Sequence, residues 1–559
     1  MTQIPAARSA LSFSSWASAI ISGAGMAASM ARPGWAILAW AAWIPLLRQL
    51  LPVSPEESCA HPFRLGFATG LVFWLLTIHW LVHVTVIGMV AMSLYLALYM
   101  GTWAFFMTRI RARWRQPKGW IHLGVACLGA SAWVGLEWMR GWMLGGFPWN
   151  FAAVSQHRNL GLIQICEWTG VYGVSFVVLF VNHAFWLTWR RLWIERFSAR
   201  SWRYELSAAI LLVAFCLFVG MRHLLRSHAE MAGGARRAVI LKLALIQPDI
   251  PQEVKYEPLS QEEQRRRLEE LTGLASALKP DWVIWPETAV VAGPTYNLDS
   301  RYWLESLVRR MGVPIFFGTV DADVANHEGT SRRSEVKYFN AAVSIDEKGQ
   351  LGTPYHKLHL VPFGEYVPFD RWMPWLRWLT PISTGFHTGA GPVLFDCKGV
   401  KMGPLICFED TFPHLSGAMS KNGADVLINL TNDAWFKESM EARLHAANAV
   451  FRAIETRRPL VRCTNSGLTL VISASGEIIQ PLSSVGVGPH GVLASPLPAF
   501  CEGFAICMVK CFPDAPQTFF TRYGDWFPVG CWIIFIVGAA TCGASAWSGR
   551  GVPDATSVS

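Results

Sequence analysis

MGPLICFED (402–410) is the stretch on which the fold of this chain turns. Its apolar run ends on Cys407 and is followed at once by Phe408, Glu409 and Asp410, so it reads as a strand that stops at a reactive side chain. Strand ends are where an α/β fold presents chemistry, because the backbone there is held rigid while the side chain emerges into a crevice. The pattern recurs on both sides. LKLALIQ (241–247), DWVIWPE (281–287), VPIFFGTV (313–320) and ADVLINLTND (424–433) are short apolar or β-branched runs, and polar helical stretches at 260–277 and 439–457 lie between or after them. This alternation predicts an α/β sandwich over residues 238–510.

The rest of the chain has a different solvent. Of 559 residues, 52% are hydrophobic and only 16% charged, against about 25% charged in an ordinary soluble domain. Apolar segments near 10–30, 34–51, 64–84, 89–108, 120–139, 168–189, 206–226 and 526–546 predict an α-helical membrane bundle of about eight spans. Seven of them fill a unit over 1–230, the eighth is 526–546, and 547–559 is left as a cytoplasmic tail. The net charge of +9 does not point to nucleic acid, because the basic residues gather in short loops between apolar runs. RIRARWRQPK (109–118) and the set Arg190, Arg191, Arg196, Arg200 and Arg203 mark the cytoplasmic side, which places 238–510 outside. Arg222, Arg226, Arg236 and Arg237 run against that orientation, but long translocated domains escape the charge rule.

The N-terminus lacks a charged n-region and a small-residue cleavage site, so it is expected to be retained. The 12 cysteines include no CxxC pair and no zinc spacing. Cys501, Cys507 and Cys511 include a disulfide only if their compartment is oxidising.

Three residues carry the chemistry. Glu287 ends one strand-like run, Cys407 ends another, and Lys357 sits in TPYHKLHLVPFGEYVP (353–368). Singly, a cysteine after a strand is usually packing and a lone Glu or Lys usually a solvated surface group. Together they form an acyl-transfer device: the cysteine attacks a carbonyl, the glutamate moves the proton, and the lysine ammonium stabilises the oxyanion. His356 and His359 flank Lys357 without making a metal site.

WPET (285–288), YHKLHLVPFGEYVP (355–368), CFED (407–410) and NLTNDAWF (429–436), in that order, resemble the nitrilase or carbon-nitrogen hydrolase superfamily. The flanking spans, with LALIQPDIPQEVKY (243–256), EWMRGWMLGGFPWN (137–150) and RAIETRRPLVRCTNSG (452–467), narrow the resemblance to the apolipoprotein N-acyltransferases. It implies an αββα nitrilase-like domain, Glu287 as general base, Lys357 as oxyanion stabiliser and Cys407 as acylated nucleophile, with Glu365 and Glu409 in support. It further implies a phospholipid acyl donor, a diacylglyceryl-modified apolipoprotein as acceptor, no cofactor, and an inner membrane with the catalytic domain in the periplasm.

Two departures stand out. Phe408 replaces the family's common Tyr, and Tyr256 its common Trp; both, with Trp435, are expected to line the substrate path. Trp435 and Phe436 read either as a mobile arm or as core, and Glu137 and Glu167 as solvated anchors at the membrane interface. Arg452 and Glu455 have ion-pair spacing and are left out of the site. Two other functions fit parts of the pattern. A membrane-tethered amidase would use the same triad with water as acceptor, but needs one span rather than eight. A transporter with an outer structural domain would need polar residues at mid-membrane depth and internal symmetry, and the spans show few of the former and no repeat.

Overall fold

The computed structural model describes residues 11–548 apart from 32, 52–58, 114–118, 194–202, 232–236, 324–335, 371, 376–384, 489–490 and 495–496. Arg115, Lys118, Arg196, Arg200 and Arg236 from the topology reading lie outside the described residues, as do residues 549–559 of the tail. The chain divides into two compact units, Met1–Met221 with Asp525–Ser559, and Arg222–Gly524.

The first unit is helical. Four of its helices, Val86–Ile110, Trp120–Arg140, Val171–Leu192 and Tyr204–Ala229, are long and apolar enough to cross a membrane. Pro62–Thr77 and Trp526–Gly538 are apolar but shorter, and the Ser- and Ala-rich Phe13–Ala31 is also helical. The segment 34–51, expected as one span, is broken into a 3-10 stretch, Pro33–Trp40, and a short α-helix, Ile44–Leu50. Pro45 explains the break: it has no N–H to give Ala41, and its ring collides with that carbonyl. Helices pack closely where residues are small. A side chain at Gly66 would fall 2.5 Å from the Met100 carbonyl oxygen.

Glu137 is not the solvated anchor the sequence suggested. It is 3% exposed, and its Oε1 accepts the Ala152 N–H at 2.7 Å. Arg140 beside it donates to the carbonyls of Phe147 and Trp149 at 2.8 and 2.7 Å. The loop 141–152 folds back over this helix end, and the two charges satisfy its backbone.

The second unit holds fourteen strands among the described residues. They are β1 (Val239–Gln247), β2 (Trp282–Ile284), β3 (Ile315–Asp323), β4 (Lys337–Ile345), β5 (Tyr355–His356), β6 (Phe395–Cys397) and β7 (Val400–Ile406). Then follow β8 (Val426–Thr431), β9 (Leu460–Thr464), β10 (Leu470–Ile472), β11 (Ile478–Ile479), β12 (Ser483–Gly488), β13 (Gly491–Ala494) and β14 (Glu502–Cys511). One eight-stranded sheet runs β13-β12-β14-β1-β2-β3-β4-β5, and a six-stranded sheet runs β11-β10-β9-β8-β7-β6. Parallel pairs β1–β2–β3 and β7–β8–β9 form their centres, with antiparallel strands outward.

Helices Pro258–Ser276 and Leu298–Met311 cover the first sheet, where Leu268, Leu304 and Leu307 pack on Ile246, Val283 and Ile315. Helices Pro413–Lys421 and Glu441–Thr456 cover the second. The sheets meet face to face: the Phe316 and Phe395 rings lie 4.8 Å apart, and Cys463 of β9 points its thiol at the Ile246 and Ile284 carbonyls, 3.3 Å from each. Sandwiched this way, β1 and β8 are buried on both faces, which is why they read as unbroken apolar runs. Cys501, Cys507 and Cys511 are buried free thiols.

Candidate active site

Three strand ends converge. Glu287 follows β2 through Trp285 and Pro286; Lys357 directly follows β5; Cys407 directly follows β7 and opens the 3-10 turn Cys407–Thr411. Cys407 takes a φ of 53° and Thr288, next to Glu287, a φ of 50°. Such left-handed conformations cost non-glycine residues about 1–3 kcal/mol and persist where the surroundings impose them. The Glu287 turn lies so close to β3 that a Cβ on Gly318 would fall 2.6 Å from the Glu287 Cα.

The acids and the lysine form a single cluster. Lys357, 1% exposed, sits 2.9 Å from Glu365 Oε1 and 3.7 Å from Glu287 Oε1. Asn340 on β4 ties both carboxylates together, its Nδ2 donating to Glu287 at 2.8 Å and to Glu365 at 2.7 Å. The Asn340 carbonyl also receives the Lys357 N–H at 2.8 Å. Glu365 is steadied by the Val361 N–H on its other oxygen, at 2.8 Å. Burial works against the Lys357 ammonium, but Glu365 and Glu287 outweigh it and hold its pKa well above the usual lysine value.

Burial pushes the Cys407 thiol up to about 12, and the Glu287 charge adds to the rise. Lys357, His445 and the Thr431 hydroxyl pull the other way. The resting side chain at neutral pH is therefore a thiol, and a nucleophilic role would require a base to take its proton.

Glu409 braces the Lys357 segment. Its Oε1 accepts the Leu358 and His359 N–H groups at 2.7 and 3.0 Å, and its Oε2 accepts Ile406 N–H at 2.7 Å and the Tyr355 hydroxyl at 2.9 Å. Burial raises its pKa to about 7, opposed by Lys357 and these donors.

Beneath Cys407 lies a buried ionic network. Arg462 of β9 donates to Asp410 at 2.8 Å, Asp433 at 2.9 Å and Asn429 Oδ1 at 3.1 Å, while the Asn429 Nδ2 donates to the Cys407 backbone carbonyl at 2.9 Å. His445 pairs with Asp410 at 2.8 Å and Asp433 at 3.1 Å. Asp433, Glu441 and His445 converge as three metal-type ligands would, but the Arg462 guanidinium is already 2.7 Å from His445 Nδ1. That cation fills the place a metal would need.

Of the residues expected to line the substrate path, Tyr256 and Trp435 are 52% and 39% exposed. Phe408 is half-buried, edge-on to Phe412 at 5.1 Å. Their surfaces are apolar and open; no polar duty is visible for a hydroxyl at 408. Arg452 and Glu455 form the ion pair their spacing suggested, at 2.8 Å, and both are buried. Sequence reading missed Asn340, Lys255 and the Arg462 network. Each had a local sign: a polar or charged residue inside an apolar strand for Asn340 and Arg462, and a lysine inside an already distinctive run for Lys255.

Comparison with known proteins adds independent findings. Residues 22–184 match the apolipoprotein N-acyltransferase N-terminal domain, and residues 242–511 match carbon-nitrogen hydrolase. An apolipoprotein N-acyltransferase of Geobacter metallireducens is 32% identical over 554 residues, covering 96% of this chain and 95% of that one. Another, from Bradyrhizobium diazoefficiens, is 31% identical over 404 residues, covering 70% and 68%. Among solved structures, a nitrilase-superfamily amidase from Nesterenkonia sp. AN1 matches 51% of this chain and 95% of its own at 16% identity, with a TM-score of 0.35.

Proposed function

Because the chain belongs to the apolipoprotein N-acyltransferase family, we propose that it transfers an acyl chain from a phospholipid to the α-amino group of the diacylglyceryl-cysteine at a lipoprotein N-terminus. The observation that carries the reading is the convergence of a half-buried Cys407 with the buried Glu287 and Lys357 from three strand ends, with Asn340 and Glu365 fixing the acid and the lysine.

In the first step Glu287 takes the Cys407 proton as Sγ attacks the ester carbonyl. Lys357 faces the oxyanion that forms, with its ammonium already held in place, so little reorganisation is needed. Collapse breaks the ester C–O bond; the leaving glycerol oxygen takes the proton from Glu287, and a lysophospholipid departs. In the second step the neutral α-amine attacks the thioester. Glu287 accepts the amine proton and returns it to the Cys407 sulfur as the C–S bond breaks. The two half-reactions share one site in turn, which is ping-pong kinetics.

Both substrates are lipid-anchored, which gives the helical unit its purpose. We assign it about eight spans, the inner membrane as its location, and the periplasm to the catalytic domain over 238–510; loop charge supports that orientation. The exposed rings of Tyr256 and Trp435, with Phe408, provide apolar surface for acyl chains.

The acceptor step is tested by giving purified protein a phospholipid with an isotope-labelled acyl chain and a synthetic diacylglyceryl-cysteine peptide. The label is expected on the peptide's α-amine. Release of free labelled fatty acid with the peptide unmodified would instead identify a hydrolase.

A further inference from the structure

A second lysine lies in the site and has no part in the steps above. Lys255 is 1% exposed, one residue before the open ring of Tyr256, and its Nζ donates to the backbone carbonyl of Glu287 at 3.0 Å. Among the described residues no carboxylate lies within 4.0 Å of it, whereas Lys357 has two. An ammonium buried without a counter-ion is costly, and a protein that keeps one uses its charge or its hydrogen bonds.

Charge counting shows the use. Lys357 faces Glu287 and Glu365, so that trio carries a net charge of −1, and passing the Cys407 proton to Glu287 keeps that excess negative charge and only moves it onto the sulfur. Lys255 feels both Glu287 and Cys407, and adding it brings the set to neutrality. Glu409 is held by its N–H and Tyr355 donors, and His445 is paired with Asp410 and Asp433. Burial holds the Lys255 pKa at about 8, against the pull of Glu287 and Cys407.

We propose that Lys255 is a positioning residue for acyl transfer, fixing the Glu287 turn through its carbonyl and supplying the second positive charge that lets Glu287 and Cys407 carry negative charge in turn. The inference rests on the assignment of Glu287 as base and Cys407 as nucleophile.

The test is the rate at which iodoacetamide alkylates Cys407 in the full chain in detergent, followed by peptide mass spectrometry from about pH 6 to about pH 10. Lys255→Gln keeps an N–H donor without the charge, Lys255→Met removes both, and Lys255→Arg keeps the charge. The Gln and Met profiles are expected to move up by about one pH unit, about tenfold slower near neutrality, while Arg follows the wild type. A Gln profile that overlays the wild type, or an Arg profile displaced as far as Gln, overturns the proposal. Thermal unfolding of each variant shows that the comparison is between folded proteins. Alkylation needs no phospholipid, so a protein that alkylates as expected but accepts no acyl group would overturn the donor assignment and leave the Lys255 result standing.

Discussion

At the scale of single residues, Asn340 does the most with the least. Its one amide nitrogen contacts both Glu287 and Glu365, and its carbonyl receives the Lys357 N–H, so the base and the lysine share one anchor. Asn340→Ala removes the tie and leaves two carboxylates side by side. Displacing a catalytic group by about 1 Å can cost on the order of a hundredfold in rate, so kcat should fall by about that factor with KM little changed. A rise in KM at constant kcat would mean that Asn340 serves binding instead. Lys255 makes an opposite prediction for stability. Its pKa drops from 10.5 to about 8 in the folded protein, so the charged form opposes folding; the penalty is full below about pH 8 and fades as pH rises towards 10.5. The shift corresponds to on the order of 3 kcal/mol, offset by about 1 kcal/mol for the hydrogen bond to Glu287. Lys255→Met should therefore be more stable than the wild type at pH 7 by about 2 kcal/mol, with the gap closing towards pH 10 in thermal melts. Equal stability across that range would place Lys255 in a wetter setting than its 1% exposure indicates.

At the scale of elements, the site depends on how strands end. A residue of the proposed triad lies directly after β5 and β7 and three positions after the end of β2, and β3 must leave room for the Glu287 turn, which is why position 318 is glycine. Gly318→Ala would drive a methyl into the Glu287 backbone and cost about 1–3 kcal/mol of stability by overpacking. It should also depress activity more than stability, because the displaced backbone carries the base. Full activity in a folded Gly318→Ala protein would contradict that placement. The central strands were legible in the sequence: LKLALIQ, VPIFFGTV, MGPLICFED and ADVLINLTND fall on β1, β3, β7 and β8, as both-face burial leaves long apolar runs. β14 was not, although it pairs with β1 along nine residues, since a partner so distant in sequence leaves no local sign. The 34–51 segment misled for the opposite reason: its apolarity is that of a span, but Pro45 decides the backbone.

At the scale of the whole molecule, the chain joins a helical unit, with four helices among the described residues long and apolar enough to cross a membrane, to an α/β unit that holds the proposed acyl-transfer site. The three residues of the proposed triad drew notice in the sequence because Glu287, Lys357 and Cys407 each sit in a distinctive run. Asn340, Lys255 and Arg462 carry only a faint local sign, a polar or charged residue in an apolar or distinctive run, and the burial and partners that give it meaning come from the fold. In the proposed reaction Cys407 carries the acyl group between donor and acceptor. Purified protein given phosphatidylethanolamine with one defined acyl chain, without acceptor, should gain the mass of that acyl group on the Cys407 peptide. The adduct should be removed by hydroxylamine and be absent from Cys407→Ser. A folded protein that gains no mass, or gains it on another residue, would contradict the account.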